Sequence, residues 1–189
     1  MGLTDFLTGR PRRGVVLALG GGGARGLAHV GVLSVLEEAG IPVRGIAGTS
    51  AGAVVGAMWL ALGDAAAVRR RWEEFLASGL LPPIPDVRLT DDVTSRDNLL
   101  LQFARKVQQG ATVAIALGRR SLITADGFDR ALAFLIPDLV IEELSMPFAA
   151  VTTDFASGRP VAVTSGSLRL AVAASSAIPG VLPPYLIDG

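Results

Sequence analysis

The sequence contains no cysteine, one histidine and no net charge at neutral pH. Without cysteine there can be no disulfide and no thiolate metal site. No cluster of histidine and carboxylate residues indicates a catalytic metal either. Basic and acidic residues are equal in number, 17 of each, so nothing in the charge indicates a nucleic-acid partner. The basic residues are almost all arginine, which we attribute to composition bias because Lys106 is the single lysine.

Long uncharged hydrophobic runs are also lacking. None reaches the roughly 20 residues that a helix needs to cross a bilayer. The longest stretch, residues 45–63, contains a serine and several glycines. We therefore expect a cytoplasmic location, with possible membrane association through transient surface contact.

Hydrophobic residues and glycine are abundant, at 50% and 23 residues respectively. A chain of 189 residues is long enough for one domain with a buried sheet. Parallel strands that are covered on both faces consist of such continuous hydrophobic runs. The composition predicts an α/β fold, a three-layer sandwich with a mostly parallel central sheet.

The most informative motif is Gly48-Thr49-Ser50-Ala51-Gly52. The hydrophobic run Val43–Ala47 precedes it, and a second run of helical length, Ala53–Leu62, follows it. A nucleophile elbow has this context, because its serine lies on a sharp corner between a strand and a helix. The flanking glycines avoid a collision across so tight a turn. The motif predicts that Ser50 is a nucleophile.

A second glycine cluster, Gly20-Gly21-Gly22-Gly23-Ala24-Arg25-Gly26, lies between a predicted strand, Val15–Leu19, and a predicted helix, Leu27–Ala39. Backbone N–H groups of such a loop bind anionic oxygen. One interpretation is a dinucleotide site, which requires an acidic residue at the end of the next strand. That strand ends without one, so we favour an oxyanion hole that serves Ser50.

The single histidine, His29, lies before Ser50. An ordinary α/β-hydrolase triad needs a histidine after its serine, so this chain cannot form that triad. We expect His29 to be a partly buried, hydrogen-bonded helix residue. The catalytic base should then be a carboxylate.

Four blocks of the chain resemble the patatin-like phospholipase family, in particular its small bacterial members. Three of them, Gly21-Gly22-Gly23-Ala24-Arg25-Gly26, Gly48-Thr49-Ser50-Ala51-Gly52 and Asp188-Gly189, are similar to the signature blocks of that family. Residues 174–184 resemble the segment that the family carries ahead of its aspartate. The resemblance implies a cofactor-independent serine hydrolase acting on lipids or related acyl esters.

Residue by residue, the resemblance implies that Ser50 is the nucleophile and Asp188 the base of a Ser–Asp dyad. The implied oxyanion loop consists of Gly21, Gly22 and Gly23, with Arg25 beside it. An aspartate with its usual pKa of about 3.9 is a poor base for a hydroxyl. We therefore expect an apolar site that raises the pKa of Asp188.

Members of that family continue beyond the Asp-Gly pair, whereas this sequence stops at Gly189. Two alternatives stay open. The chain is a truncated version of a longer protein, or it is a weakened or inactive relative that serves as an interaction or regulatory module. A nucleotide-binding protein is a third, less favoured class.

We expect one domain, with a core over residues 14–62 and 122–189 and a helical cap over 63–121. Hydrophobic residues at helical spacing predict helices over 64–78 and 96–109 within the cap. Aromatic residues on these helices could line an acyl site, but we favour ordinary core packing for them; they are Trp72, Phe75 and Phe103.

The second part of the core contains a predicted helix, 126–135, and two strands, 148–154 and 160–164, that form a hairpin. Ser167 is a predicted cap for a helix over 168–174. The alternative site residues here are Asp154, which we interpret as a polar hairpin residue, and the hydroxyls of Ser175 and Ser176, which no elbow surrounds.

Overall fold

The computed structural model describes residues 14–80, 125–178, 182 and 184–187 of the chain. These residues contain a four-stranded sheet with the strand order β1-β2-β3-β4. The strands are β1 (Val15–Leu19), β2 (Val43–Gly48), β3 (Phe148–Thr153) and β4 (Pro160–Val163). The first three strands run parallel and β4 runs antiparallel to β3. The predicted α/β class with a mostly parallel sheet is therefore confirmed.

Five α-helices accompany this sheet in the described part of the chain. They are α1 (Ala28–Glu38), α2 (Ala51–Leu62), α3 (Ala65–Ala77), α4 (Ala125–Leu135) and α5 (Leu168–Ser176). Short 3-10 turns lie at Gly23–Leu27 and Ile141–Glu143. Side-chain caps begin two of the helices, because Asp64 accepts a hydrogen bond from the Ala67 N–H and Ser167 accepts one from Leu170. The predicted Ser167 cap is thus confirmed.

Helix α2 is the centre of the core. Its sequence is hydrophobic all round, as expected of a buried helix, and residues 52–58 are all buried. It contacts β1, β2 and β3, and it also contacts α5, which packs on β3. Helices α2 and α5 therefore lie on the same face of the sheet. Because the carboxyl ends of β1 and β2 meet at α2, the residues that follow these two strands are brought together there.

Helix α3 packs against α1, α2 and α4. Two of its residues, Val68 and Phe75, are 0% and 2% exposed and belong to the main core. Trp72 is half-buried and lies edge-on to Phe75, with the ring centroids 5.7 Å apart. Core packing, the favoured interpretation of Phe75, is therefore confirmed. The predicted helix over 96–109 and Phe103 lie outside the described residues, and the division into core and cap stays a prediction.

No single helix in the described ranges is long and hydrophobic enough to cross a membrane. Helices α2 and α3 reach the length and hydrophobic composition of a membrane-spanning segment only when taken together. Their axes are bent by 116° at the break between them.

Truncation of a central leucine tests this core. Leu33 on α1 is 0% exposed, so Leu33→Ala should lower the free energy of unfolding by about 2–5 kcal/mol, through lost burial and the remaining cavity. Leu76 on α3 is 58% exposed, and Leu76→Ala should change that free energy by less than about 0.5 kcal/mol. Urea unfolding of both variants measures the difference. Equal losses would contradict the packing described.

Candidate active site

Ser50 occupies the corner between β2 and α2. Its backbone has φ 51° and ψ −119°, and it is the one residue other than glycine with a positive φ in the described ranges. Such a conformation costs of order 1–3 kcal/mol and persists only where the surrounding structure enforces it. The predicted arrangement of strand, sharp corner and helix is therefore present at Ser50.

The two flanking glycines enforce this corner, because no side chain fits at either position. A Cβ atom on Gly48 would lie 2.5 Å from the Cα of Ala53. A Cβ atom on Gly52 would lie 2.1 Å from the carbonyl oxygen of Leu19, at the end of β1. Helix α2 thus begins in direct contact with the end of β1, and only glycine permits that distance.

Hydrogen bonds hold the backbone of the corner on both sides. The Thr49 N–H donates to the Leu19 carbonyl at 2.9 Å, and the Gly52 N–H donates to the Thr49 carbonyl at 2.9 Å. The Ser50 N–H donates to Oγ of Ser175 at 2.9 Å. Within the part of the chain that the structure describes, the Ser50 hydroxyl itself has no hydrogen-bond partner. Ser50 is half-buried.

The glycine loop lies beside this hydroxyl. A Cβ atom on Gly21 would be 3.4 Å from Cβ of Ser50, so the backbone of the loop approaches the serine closely. A Cβ atom on Gly26 would be 2.4 Å from Cβ of Ala51, which shows how tightly the 3-10 turn packs on the start of α2. The N–H groups of Gly22 and Gly23 have no acceptor among residues 14–80 and 125–178. The structure therefore places the glycine loop against the Ser50 corner at Gly21 and Gly26.

His29 fixes the beginning of this loop. Its Nε2–H donates to the carbonyl oxygen of Gly20 at 2.9 Å, and its side chain is half-buried in the first turn of α1. The prediction of a hydrogen-bonded helix residue is confirmed. Arg25 is exposed and makes no ion pair with an acidic residue of the described ranges, although its backbone N–H donates to the Gly22 carbonyl at 3.3 Å.

Asp188, the implied base, lies outside the described residues. The rise in its pKa therefore stays a prediction. The segment leading to it is held against the core. Tyr185 donates its hydroxyl hydrogen to Oδ1 of Asp129 on α4 at 2.7 Å. Tyr185 and Ile187 pack on the main core. Burial, followed by the hydrogen bond to Asp129 and its negative charge, raises the pKa of the Tyr185 phenol well above its ordinary value.

The alternative carboxylate, Asp154, is committed to the turn between β3 and β4. Its Oδ1 accepts hydrogen bonds from the N–H and the hydroxyl of Ser157, at 2.6 and 2.5 Å. The hydroxyl of Ser157, and next its N–H, lower the pKa of Asp154, which makes this carboxylate a still weaker base. The interpretation of Asp154 as a polar hairpin residue is confirmed.

No group of three or more metal-ligating side chains occurs in the described part of the molecule. A cavity of about 760 Å³ lies at the amino-terminal edge of the strands, lined among others by Arg44, Pro147 and Thr164. This edge is opposite to Ser50, so the cavity is separate from the site.

The close approach at Gly52 can be tested with a matched glycine. Gly52→Ala forces a Cβ into the Leu19 carbonyl and should lower the free energy of unfolding by about 1–3 kcal/mol or more. Gly31, in the middle of α1, has open space around its Cα. Gly31→Ala should raise the same free energy by up to about 1 kcal/mol, because alanine favours helix. Thermal and urea unfolding measure the expected loss of stability in Gly52→Ala and the expected gain in Gly31→Ala. A Gly52→Ala variant that is more stable than the unchanged chain would contradict the geometry.

Tyr185 is the single tyrosine of the chain, so its ultraviolet titration is read without interference. In the folded protein the phenol should stay protonated well above pH 10, whereas in denaturant its pKa should return to about 10. The raised pKa of the phenol contributes its full stabilisation of the fold below a pH of about 10. This stabilisation is lost as the pH rises through the pKa of Tyr185 in the folded state. Asp129→Asn should lower the folded pKa only in part, because burial remains. If the pKa of Tyr185 is the same in the folded and the denatured chain, the contact between Tyr185 and Asp129 is refuted.

Comparison with known proteins identifies several relatives of the sequence. The sequence is 35% identical over 184 residues to "Patatin-like phospholipase domain-containing protein 6" of Homo sapiens, covering 96% of this chain and 11% of the relative. It is 34% identical over 175 residues to an uncharacterized NTE family protein of Mycobacterium tuberculosis, covering 93% of this chain and 40% of the relative. The chain therefore spans well under half of the length of these relatives.

Among solved structures, the type III effector protein ExoU aligns over 90% of this chain and 41% of its own, at 20% identity and a TM-score of 0.46. The sequence profile of the Patatin-like phospholipase family matches residues 17–189, which include both glycine motifs and the corner at Ser50. The chain belongs to the Patatin-like phospholipase family.

Proposed function

We propose that the chain is a serine acyl hydrolase of lipids, with Ser50 as its nucleophile and Asp188 as its base. The observation that supports this most directly is the strained corner at Ser50, which lies beside a glycine loop and whose hydroxyl has no partner among the described residues. Backbone strain at a single non-glycine residue is typical of functional sites. Neither a dinucleotide site nor an interaction module requires a serine in this conformation.

In the proposed first step, Asp188 accepts the hydroxyl proton of Ser50 while Oγ attacks the carbonyl carbon of an ester. The carbonyl oxygen acquires the negative charge of the tetrahedral intermediate. The N–H groups of Gly22 and Gly23, which have no acceptor in the described ranges, would donate to this oxygen. The dipole at the start of α2 would add to the stabilisation. Such preorganised donors are each worth about 3–4 kcal/mol in comparable enzymes.

The intermediate then collapses. The ester C–O bond breaks, Asp188 returns the proton to the leaving alcohol, and the acyl group remains on Ser50. Water attacks the acyl carbon and gives a proton to Asp188. The acyl–Oγ bond then breaks, Asp188 returns that proton to Oγ of Ser50, and a carboxylic acid is released. The cycle needs no metal or cofactor.

Lipids are the proposed substrate class because of family membership. The family and the mammalian relatives carry the name phospholipase. A neutral chain with Ser50 at a half-buried corner suits an uncharged acyl ester better than a charged polymer.

Covalent labelling tests the nucleophile. The 189-residue chain should react with a fluorophosphonate and release fatty acid from phosphatidylcholine micelles, and Ser50→Ala should do neither. Ser176→Ala, a change at another serine of the site region, should label like the unchanged chain. A folded chain that resists the probe would favour the inactive, interaction-module alternative. A melting temperature raised by NAD, without labelling, would favour the nucleotide-binding one.

The base is tested by Asp188→Asn, which keeps the shape of the side chain but removes its basicity. The expected loss in kcat is about 10²–10⁴-fold, the usual contribution of a general base. Asp154→Asn is the matched control, because Asp154 lies in the β3–β4 turn, and it should leave kcat within about twofold. Hydrolysis of a p-nitrophenyl ester measures both variants. A larger loss in Asp154→Asn would reverse the assignment of the two carboxylates.

A further inference from the structure

Ser175 makes a contact with the nucleophile corner that no local sequence pattern indicates. It lies in the last turn of α5, 125 residues after Ser50 along the chain. Its Oγ accepts the Ser50 N–H at 2.9 Å and donates to the Val151 carbonyl of β3 at 2.6 Å. A single hydroxyl thus joins the backbone of the nucleophile to the neighbouring strand.

The chemistry of a hydroxyl fixes the direction of both bonds. Serine has one O–H donor and two acceptor lone pairs. The Val151 carbonyl can only accept, so it takes the proton of Ser175, and a lone pair remains for the Ser50 N–H. Because its proton is committed, Ser175 is available neither as a second nucleophile nor as a donor to an oxyanion.

The position of this contact matters because Ser50 is strained. Rotation of the Ser50 backbone away from φ 51° would relieve the strain, and it would also turn the N–H away from Oγ of Ser175. The other backbone bonds of the corner are donated by Thr49, by Gly52 and, to the Ser50 carbonyl, by Val54, and none of them holds the Ser50 N–H.

We infer that Ser175 is a positioning residue for the nucleophile: its hydroxyl locks the Ser50 backbone in the strained conformation that presents Oγ to the substrate. This inference rests on the proposed role of Ser50. The same contact occupies the Ser50 N–H, so this N–H is not available to an oxyanion.

Two variants of nearly equal shape isolate the hydroxyl. Ser175→Thr retains it, whereas Ser175→Val replaces it by a methyl group. With a fluorophosphonate as the probe, the maximal inactivation rate of Ser175→Val should be at least about tenfold below that of Ser175→Thr, a difference of about 1.4 kcal/mol. The half-saturating probe concentration should agree within about twofold in both, because the probe-binding surface is unchanged.

Ser176→Ala is the matched control on the same helix. Ser176 is buried and its Oγ has no hydrogen-bond partner in the described residues. Removal of an unsatisfied hydroxyl should leave the inactivation rate within about twofold of the unchanged chain and should not lower its melting temperature.

Amide exchange provides a readout that does not depend on reactivity. The Ser50 amide should exchange slowly in the unchanged chain, in Ser175→Thr and in Ser176→Ala, and at least about tenfold faster in Ser175→Val. The Val54 amide, which donates to the Ser50 carbonyl at 3.0 Å, should keep its protection in all four proteins and reports intact folding of α2.

The outcomes separate this inference from the proposed function. Equal inactivation rates for Ser175→Thr and Ser175→Val, or an equally protected Ser50 amide in both, would overturn the positioning role while the hydrolase proposal stands. If the unchanged chain does not react with the probe but the Ser50 amide loses protection only in Ser175→Val, the lock is supported and the hydrolase proposal fails.

Discussion

The contact between the start of α2 and the end of β1 is the constraint on which the site depends. Without a side chain at Gly52, the helix begins directly against the Leu19 carbonyl, and the Thr49 N–H can bond to the same oxygen. Strand β2 and helix α2 are then joined by only two residues, Thr49 and Ser50. The positive φ of Ser50 is the geometric result, and the cost of this strain is offset by the burial of most of α2.

The glycine loop is held to this corner by separate contacts. Gly26 packs on Ala51, and His29 fixes the Gly20 carbonyl from the first turn of α1. In the described ranges the N–H groups of Gly22 and Gly23 have no acceptor, and both residues lie between these two fixed points. The supporting contacts therefore hold the two ends of the loop rather than its middle.

Much of this architecture could be predicted because its signals are local. Strand β1, the cap at Ser167 and the corner at Ser50 follow from hydrophobic runs and from the residues next to them. The start of α1 is harder to predict. The sequence predicts a helix that begins at Leu27, but α1 begins at Ala28, after a 3-10 turn that the preceding glycines permit. The bonds of Ser50 to Ser175 and of Tyr185 to Asp129 join residues 125 and 56 positions apart, and no spacing rule predicts such pairs. Helix α5 also extends two residues beyond its predicted end at residue 174, and the first of these is Ser175.

The end of α5 has a double attachment. Ser175 joins it to the nucleophile corner, and the chain then continues from the same helix end toward Tyr185, whose bond to α4 secures the approach to residue 188. Because Ser175 also donates to the Val151 carbonyl of β3, any tilt of α5 would displace the Ser50 amide or break one of the two bonds of Ser175. Packing changes elsewhere on α5 are in this way transmitted to the backbone of Ser50 through one hydroxyl.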